Sequence, residues 1–179
     1  YLSYVRDFGK VEIEDQVIEL TPVKVERLHP TPSELTDVST TVWSFPKRGA
    51  WATHKGDYRG NWAPQIPRAL IQMYTERGDV VLDPMVGSGT TAVEAKLLGR
   101  NCIAVDISYP AVILTLHRLY YLERGIEELE KKAYNQLFPA VAKEDLEFAK
   151  KAWVRTYHGD ARNLDKVEDE SVDLVATHP

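Results

Sequence analysis

From Val80 onward, short apolar runs alternate with longer stretches in which apolar residues recur every three or four positions, the order strand, helix, strand, helix. VVLD at 80–83 is an apolar run closed by an acid, and TTAVEAKLLG at 90–99 predicts a helix with Thr90 as its cap and Gly99 just past its end. NCIAVDI at 101–107 predicts a second strand that also ends in an acid, Asp106. Tyr109 to Arg124 places apolar residues at 112, 113, 116, 119 and 120, one face of an amphipathic helix. Residues 126–152 are charged and helical in pattern, and Pro139 divides them into two pieces. WVRTYHGD at 153–160 predicts a third strand ending at Gly159-Asp160, and SVDLVATHP at 171–179 a fourth. Such alternation predicts an α/β fold, a doubly wound parallel sheet with crossover helices.

Upstream the pattern is less regular. VEIEDQVIEL at 11–20 partly alternates, as a half-buried or edge strand does, and His29-Pro30-Thr31-Pro32 reads as an extended connector because each proline disfavours helix in its predecessor. Residues 1–40 are expected to form an N-terminal extension, and 41–179 the domain proper. Between Trp43 and Trp62 the density of Gly, Pro and aromatics predicts an ordered loop; Ile66, Leu70, Ile71 and Tyr74 then predict a helix of about ten residues ending near Gly78.

Composition narrows the class. With 179 residues, 44% apolar and 27% charged, the chain suits one globular core and excludes disordered and fibrous readings. No apolar run reaches the roughly 18 residues of a membrane span, and the opening YLSYVRDFGK lacks a secretory order, so a cytoplasmic protein is expected. A single cysteine, Cys102, excludes an internal disulfide and a multi-cysteine zinc site; it reads as a buried, inert thiol, and no metal is expected. The formal charge of −5 argues against nucleic-acid binding by overall charge. One local cluster remains, in which Lys47, Arg48, Lys55, Arg59 and Arg68 interleave with Trp43, Trp51, Tyr58 and Trp62. It reads either as a stacking and phosphate-binding surface or as packing aromatics beside a solvated cationic face.

DPMVGSG, between a buried strand and a helix, lets backbone approach a ligand closely and presents helix N–H groups to negative charge. A phosphate-gripping P-loop needs Lys after its last glycine, whereas Gly89 is followed by Thr90 and Thr91, which disfavours nucleoside-triphosphate hydrolysis. Asp106 ends the next strand about twenty residues on, where a carboxylate accepts bonds from both ribose hydroxyls; its rival role is to cap the helix starting at Ser108. Asp83, buried at a strand end, calls for a donor such as a ligand amino group. Asp160 ends the third strand, so three successive strands each deliver an acid to one edge of the sheet.

Val81-Leu82-Asp83-Pro84-Met85-Val86-Gly87-Ser88-Gly89-Thr90-Thr91, followed by Glu94-Ala95, Leu98-Gly99-Arg100 and Ala104-Val105-Asp106, resembles the S-adenosylmethionine site of the DNA amino-methyltransferases, the N4-cytosine and N6-adenine class. Pro64-Gln65-Ile66-Pro67-Arg68-Ala69-Leu70-Ile71 with Gly78-Asp79 is similar to that family's segment closing over the methionine end of the cofactor, and His158-Gly159-Asp160-Ala161 to its adenine-contacting turn. The resemblance implies that Asp83, Pro84, Gly87, Ser88, Gly89, Thr90 and Thr91, with Pro67 above, surround the methionine portion. It implies that Asp106 and Ile107 hold the ribose side, and that Asp160 and Ala161 meet the adenine. The family's catalytic signature is Asp, Asn or Ser followed by Pro-Pro and an aromatic; here His178-Pro179 occupies the start of its place, with His178 at the polar position.

The resemblance thus implies a Rossmann-like methyltransferase domain represented by its N-terminal half, acting on a flipped DNA base as restriction-modification enzymes do. Cofactor binding by the chain alone is expected to be weak, and methyl transfer to require a C-terminal half or a second polypeptide. Rival expectations are methylation of RNA or of a protein amide, an NAD-dependent oxidoreductase, and a non-catalytic assembly subunit.

Overall fold

A computed structural model describes residues 1–35, 38–134 and 142–179. The chain opens with α1 (Leu2–Phe8) and an antiparallel hairpin of β1 (Lys10–Ile13) and β2 (Gln16–Glu19). Sequence pattern predicted one strand here. The chain instead reverses at Glu14, which adopts a left-handed φ of 51°. Val11 and Ile18 thereby become cross-strand partners and share a buried cluster with Ile113 and Leu114. Farther on, Val25 and Leu28 reach into the main core.

α2 (Gln65–Tyr74) has the expected ten residues but stops four before Gly78, with the Thr75 hydroxyl and amide both bonded to Ile71 O. Then come β3 (Val80–Asp83), α3 (Thr90–Leu97), β4 (Asn101–Asp106), α4 (Tyr109–Tyr134), α5 (Lys143–Lys151), β5 (Val154–His158) and β6 (Leu174–Val175). The last four strands form a parallel sheet in the order β5-β4-β3-β6. This is the α/β Rossmann-like arrangement the alternation predicted. Side-chain alternation sends Val81, Cys102 and Ala104 to one face, where they pack with residues of α2 to α5 such as Ile71, Leu97, Leu122 and Leu146. Leu82, Ile103 and Val105 point to the other face, against Trp153, Tyr157, Leu164, Val167 and Val172. Both faces are covered, which is why these strands read as nearly unbroken apolar runs.

Three further element ends differ from the expectations. The cap of α3 is Gly89, at φ 88°, and Thr90 is a buried first-turn residue that caps nothing. α4 runs ten residues past Arg124 because Leu122, Ile126 and Ala133 continue its buried stripe. β6 is confined to Leu174 and Val175, which pair with Val81 and Leu82 of β3, rather than running over 171–179. The break assigned to Pro139 lies outside the described residues. Among the described residues no helix is long and apolar enough to cross a membrane.

Because the order reverses at β3, with β4 and β5 on one side and β6 on the other, a crevice opens between the carboxyl ends of β3 and β6. The segments that follow these strands carry the candidate chemistry.

Candidate functional site

The glycine loop is tied to the end of β4. Val86 N donates to Val105 O at 2.9 Å, and the Asp106 carboxylate accepts from Gly87 N at 2.7 Å and Ser108 N at 2.8 Å. Asp106 therefore does hold the start of α4, one of its two proposed roles, while also fixing the loop. Two or more lone pairs on its oxygens remain for a ligand. Gly87 (φ 54°) adopts a left-handed backbone that strains any side chain, and a Cβ there would lie 3.0 Å from the Tyr58 ring, which would have to give way. Gly89 is constrained in the same way by Thr115, whose hydroxyl donates to Gly87 O at 2.9 Å.

Above the carboxyl ends of the strands lies a cavity of about 460 Å³, within the usual size of a small-molecule site. Of the residues singled out from sequence, Asp83, Pro84, Gly87, Ser88, Thr90, Asp106, Ile107, Asp160, Ala161, His178 and Pro179 line it. Acids from three adjacent strands thus meet at one place. Gly89, Thr91 and Pro67 do not line it. Gly89 is spent on the helix cap, Thr91 is fully buried under the loop, and Pro67 is buried in the first turn of α2.

The opposite wall is the segment Tyr58-Arg59-Gly60-Asn61-Trp62. Sequence reading noted its cations and aromatics without assigning it to the cavity; the available signal was Gly60, at φ 83°, between two aromatic residues. The Trp62 ring lies 5.7 Å from that of His178, tilted by 36°. Arg162, at the rim, was also missed; it clasps Asp160 with several bonds and holds its carboxyl down at about 2. Burial pushes the Asp83 carboxyl above its usual value, although the neighbouring Thr91 and Thr177 hydroxyls and the Met85 amide pull the other way. Thr90 Oγ1, on the cavity wall, is buried without a partner.

The cation and aromatic cluster resolves mostly into packing. Trp51 is fully buried and its indole N–H donates to Glu94 at 2.7 Å; Arg68, also buried, donates to the same carboxylate at 2.8 Å. His54, not singled out from sequence, completes this arrangement at 2.7 Å. Arg48 is half-buried beside Asn61, while Lys47, Lys55 and Arg59 stay exposed. Cys102 is wholly buried, and burial drives its thiol well above the ordinary value.

The sequence model of one family, described as DNA methylase (N6_N4_Mtase), matches residues 6–113, more than half of the chain. The chain is 34% identical over 82 residues to the type II methyltransferase M.BsoBI of Geobacillus stearothermophilus, covering 45% of this chain and 16% of that protein. It is 28% identical over 103 residues to the type II methyltransferase M2.MboI of Moraxella bovis (58% and 32%). It is 29% identical over 116 residues to the DNA adenine methyltransferase YhdJ of Escherichia coli (60% and 38%). The matched region is therefore well under half the length of each of these relatives. The matched span includes β3, the glycine loop, α3, β4 and the acid that anchors them, so the chain belongs to the N6/N4 DNA methylase family.

Proposed function

We propose that the chain supplies the cofactor-binding part of an enzyme that transfers a methyl group from S-adenosylmethionine to an exocyclic amino group of adenine or cytosine in DNA. The observation that carries this reading is the convergence of Asp83, Asp106 and Asp160 with the glycine loop on one cavity at the reversal of strand order.

The residues suit that cofactor. Asp83 is a buried carboxyl in want of a cation, which the methionine ammonium offers, and Thr90 Oγ1 is an unpaired hydroxyl on the same wall. Asp106 would hold the ribose hydroxyls beside Ile107, and Asp160 with Ala161 the adenine. The bound cofactor brings an electrophilic methyl group. His178 and the Pro179 carbonyl would accept the N–H bonds of the target amine, aiming its lone pair at that methyl. For His178 this requires one nitrogen to be an unprotonated acceptor. Trp62, beside His178, offers a face on which a flipped base stacks. Target recognition would come from sequence beyond these residues or from a second polypeptide, and the enzyme would act in the cytoplasm.

The test is calorimetric titration of the full-length protein with S-adenosylmethionine and with NAD, followed by transfer of a tritiated methyl group with DNA, tRNA and protein offered separately. Cofactor binding with label in DNA is expected. Asp106→Ala should weaken binding about 100-fold or more, through loss of two amide bonds to a carboxylate and of the ribose contacts. Binding of NAD alone, or label confined to RNA or protein, overturns the proposal.

A further inference from the structure

Arg118 lies on α4, away from every assigned role, with its side chain 2% exposed. Its Nη1 donates to Ser88 Oγ at 2.7 Å, on the glycine loop. Its Nη2 donates to Asp57 Oδ1 at 2.5 Å and to Lys55 O at 3.5 Å, on the segment forming the opposite cavity wall. Asn61 of that segment bonds the same Ser88 hydroxyl at 3.3 Å and Lys55 O at 3.0 Å. Tyr58, the neighbour of Asp57, rests on Gly87. One buried cation thus joins the two walls of the cavity.

Such an arrangement is poorly explained by stability. Taking a guanidinium out of water costs about as much as its partner returns, and an apolar residue of similar volume often serves a fold as well or better. Burial lowers the Arg118 pKa to about 10, and Nε is left buried with no partner. What an apolar residue cannot do is fix two separate loops in one geometry through a planar fork of donors.

We propose that Arg118 is a positioning residue that holds the 55–61 segment as a roof over the methionine end of the cofactor, without touching the cofactor itself. This rests on the functional reading above, in which the glycine loop and Asp83 hold the methionine portion and Asp160 the adenine. Ser88 belongs to the first of these, so the clamp acts most strongly at that end of the ligand.

The experiment compares S-adenosylmethionine with 5′-methylthioadenosine, which keeps the adenosine and thioether but lacks the amino-acid end. Both are titrated calorimetrically into the full-length protein and its variants Arg118→Met, Arg118→Lys and Asp57→Asn. Arg118→Met is expected to weaken S-adenosylmethionine about tenfold, the loss of one charge-assisted link, and to leave methylthioadenosine within about twofold. Asp57→Asn, which breaks the same clamp from a half-exposed position, should act in the same direction, and Arg118→Lys should recover part of the loss. If Arg118→Met fails to fold, the affinity ratio in Asp57→Asn and Arg118→Lys decides. Equal weakening of both ligands, or of neither, overturns the proposal. If the unaltered protein binds S-adenosylmethionine but the variants weaken both ligands alike or neither, the clamp is overturned alone; if the unaltered protein does not bind S-adenosylmethionine, the functional reading falls and the clamp with it.

Discussion

The change Glu94→Gln removes one charge from the most enclosed ionic group in the core while changing almost no volume. The Glu94 side chain is fully buried; one oxygen accepts from Trp51 Nε1 and His54 Nε2, both at 2.7 Å, and the other from Arg68 Nη1 at 2.8 Å. Burial works against the anion, but the bonds from His54 and the charge of Arg68 outweigh it, so the carboxyl lies below its usual value. His54 is pushed down by burial and is therefore neutral, donating from Nε2, which leaves Arg68 as the cation that balances Glu94. Once the carboxylate becomes an amide, Arg68, only 10% exposed, keeps its charge without a counterion, and the new N–H₂ group faces one of the donors. Stranding one partner of a buried pair costs about 3–5 kcal/mol. At about 2–4 °C per kcal/mol for a chain of this size, the melting temperature should fall by roughly 6–20 °C. Urea unfolding followed by tryptophan fluorescence measures this directly. The additional change Arg68→Met should recover part of the loss, because the stranded cation is then gone. A single-variant cost under about 1 kcal/mol would refute the reasoning, since it would mean the pair contributes no more than an exposed one.

Three further outcomes are expected. His29, His54 and His117 are all held below the ordinary value by burial, so the unfolded chain binds their protons first; stability should be full above pH ~6.5 and fall below it by up to about 4 kcal/mol per pH unit. Urea midpoints that stay flat between pH 7.5 and 5.5 would contradict this. The raised Asp83 carboxyl should take up a proton on acidification before ordinary carboxylates do, so S-adenosylmethionine affinity should weaken as pH falls through that raised value; calorimetry at several pH values reads the slope, and Asp83→Asn should abolish it. Gly87→Ala should destabilise the fold by about 1–2 kcal/mol in urea, because the left-handed backbone must carry a Cβ, and should displace the Tyr58 ring that lies 3.0 Å from that Cβ; unchanged stability and cofactor affinity would count against the cradle.

The parallel sheet was legible because strands buried on both faces are written as apolar runs, and VVLD and NCIAVDI sit between helical patterns with glycine or acid at each end. The acids were legible for a related reason: a carboxylate directly after a buried strand has few structural uses, and Asp83 and Asp106 both proved to face the cavity. The β1–β2 hairpin was missed because its reversal falls at Glu14-Asp15, without the Asn-Gly or Asp-Gly pair that usually marks such a turn. Residue type alone points to Thr90 as the cap of α3, whereas the left-handed Gly89 holds that position.

Sequence alone determined the order of strands from Val80 onward, the glycine turn and the acids at the strand ends, because each of these is encoded by neighbours along the chain. Only tertiary structure decided which wall closes the cavity, that Trp51 and Arg68 serve a buried carboxylate rather than a surface, and that Arg118 links two loops. Those facts depend on contacts between residues separated by 26 to 116 positions, and no local pattern of apolar and polar positions records which distant segments meet.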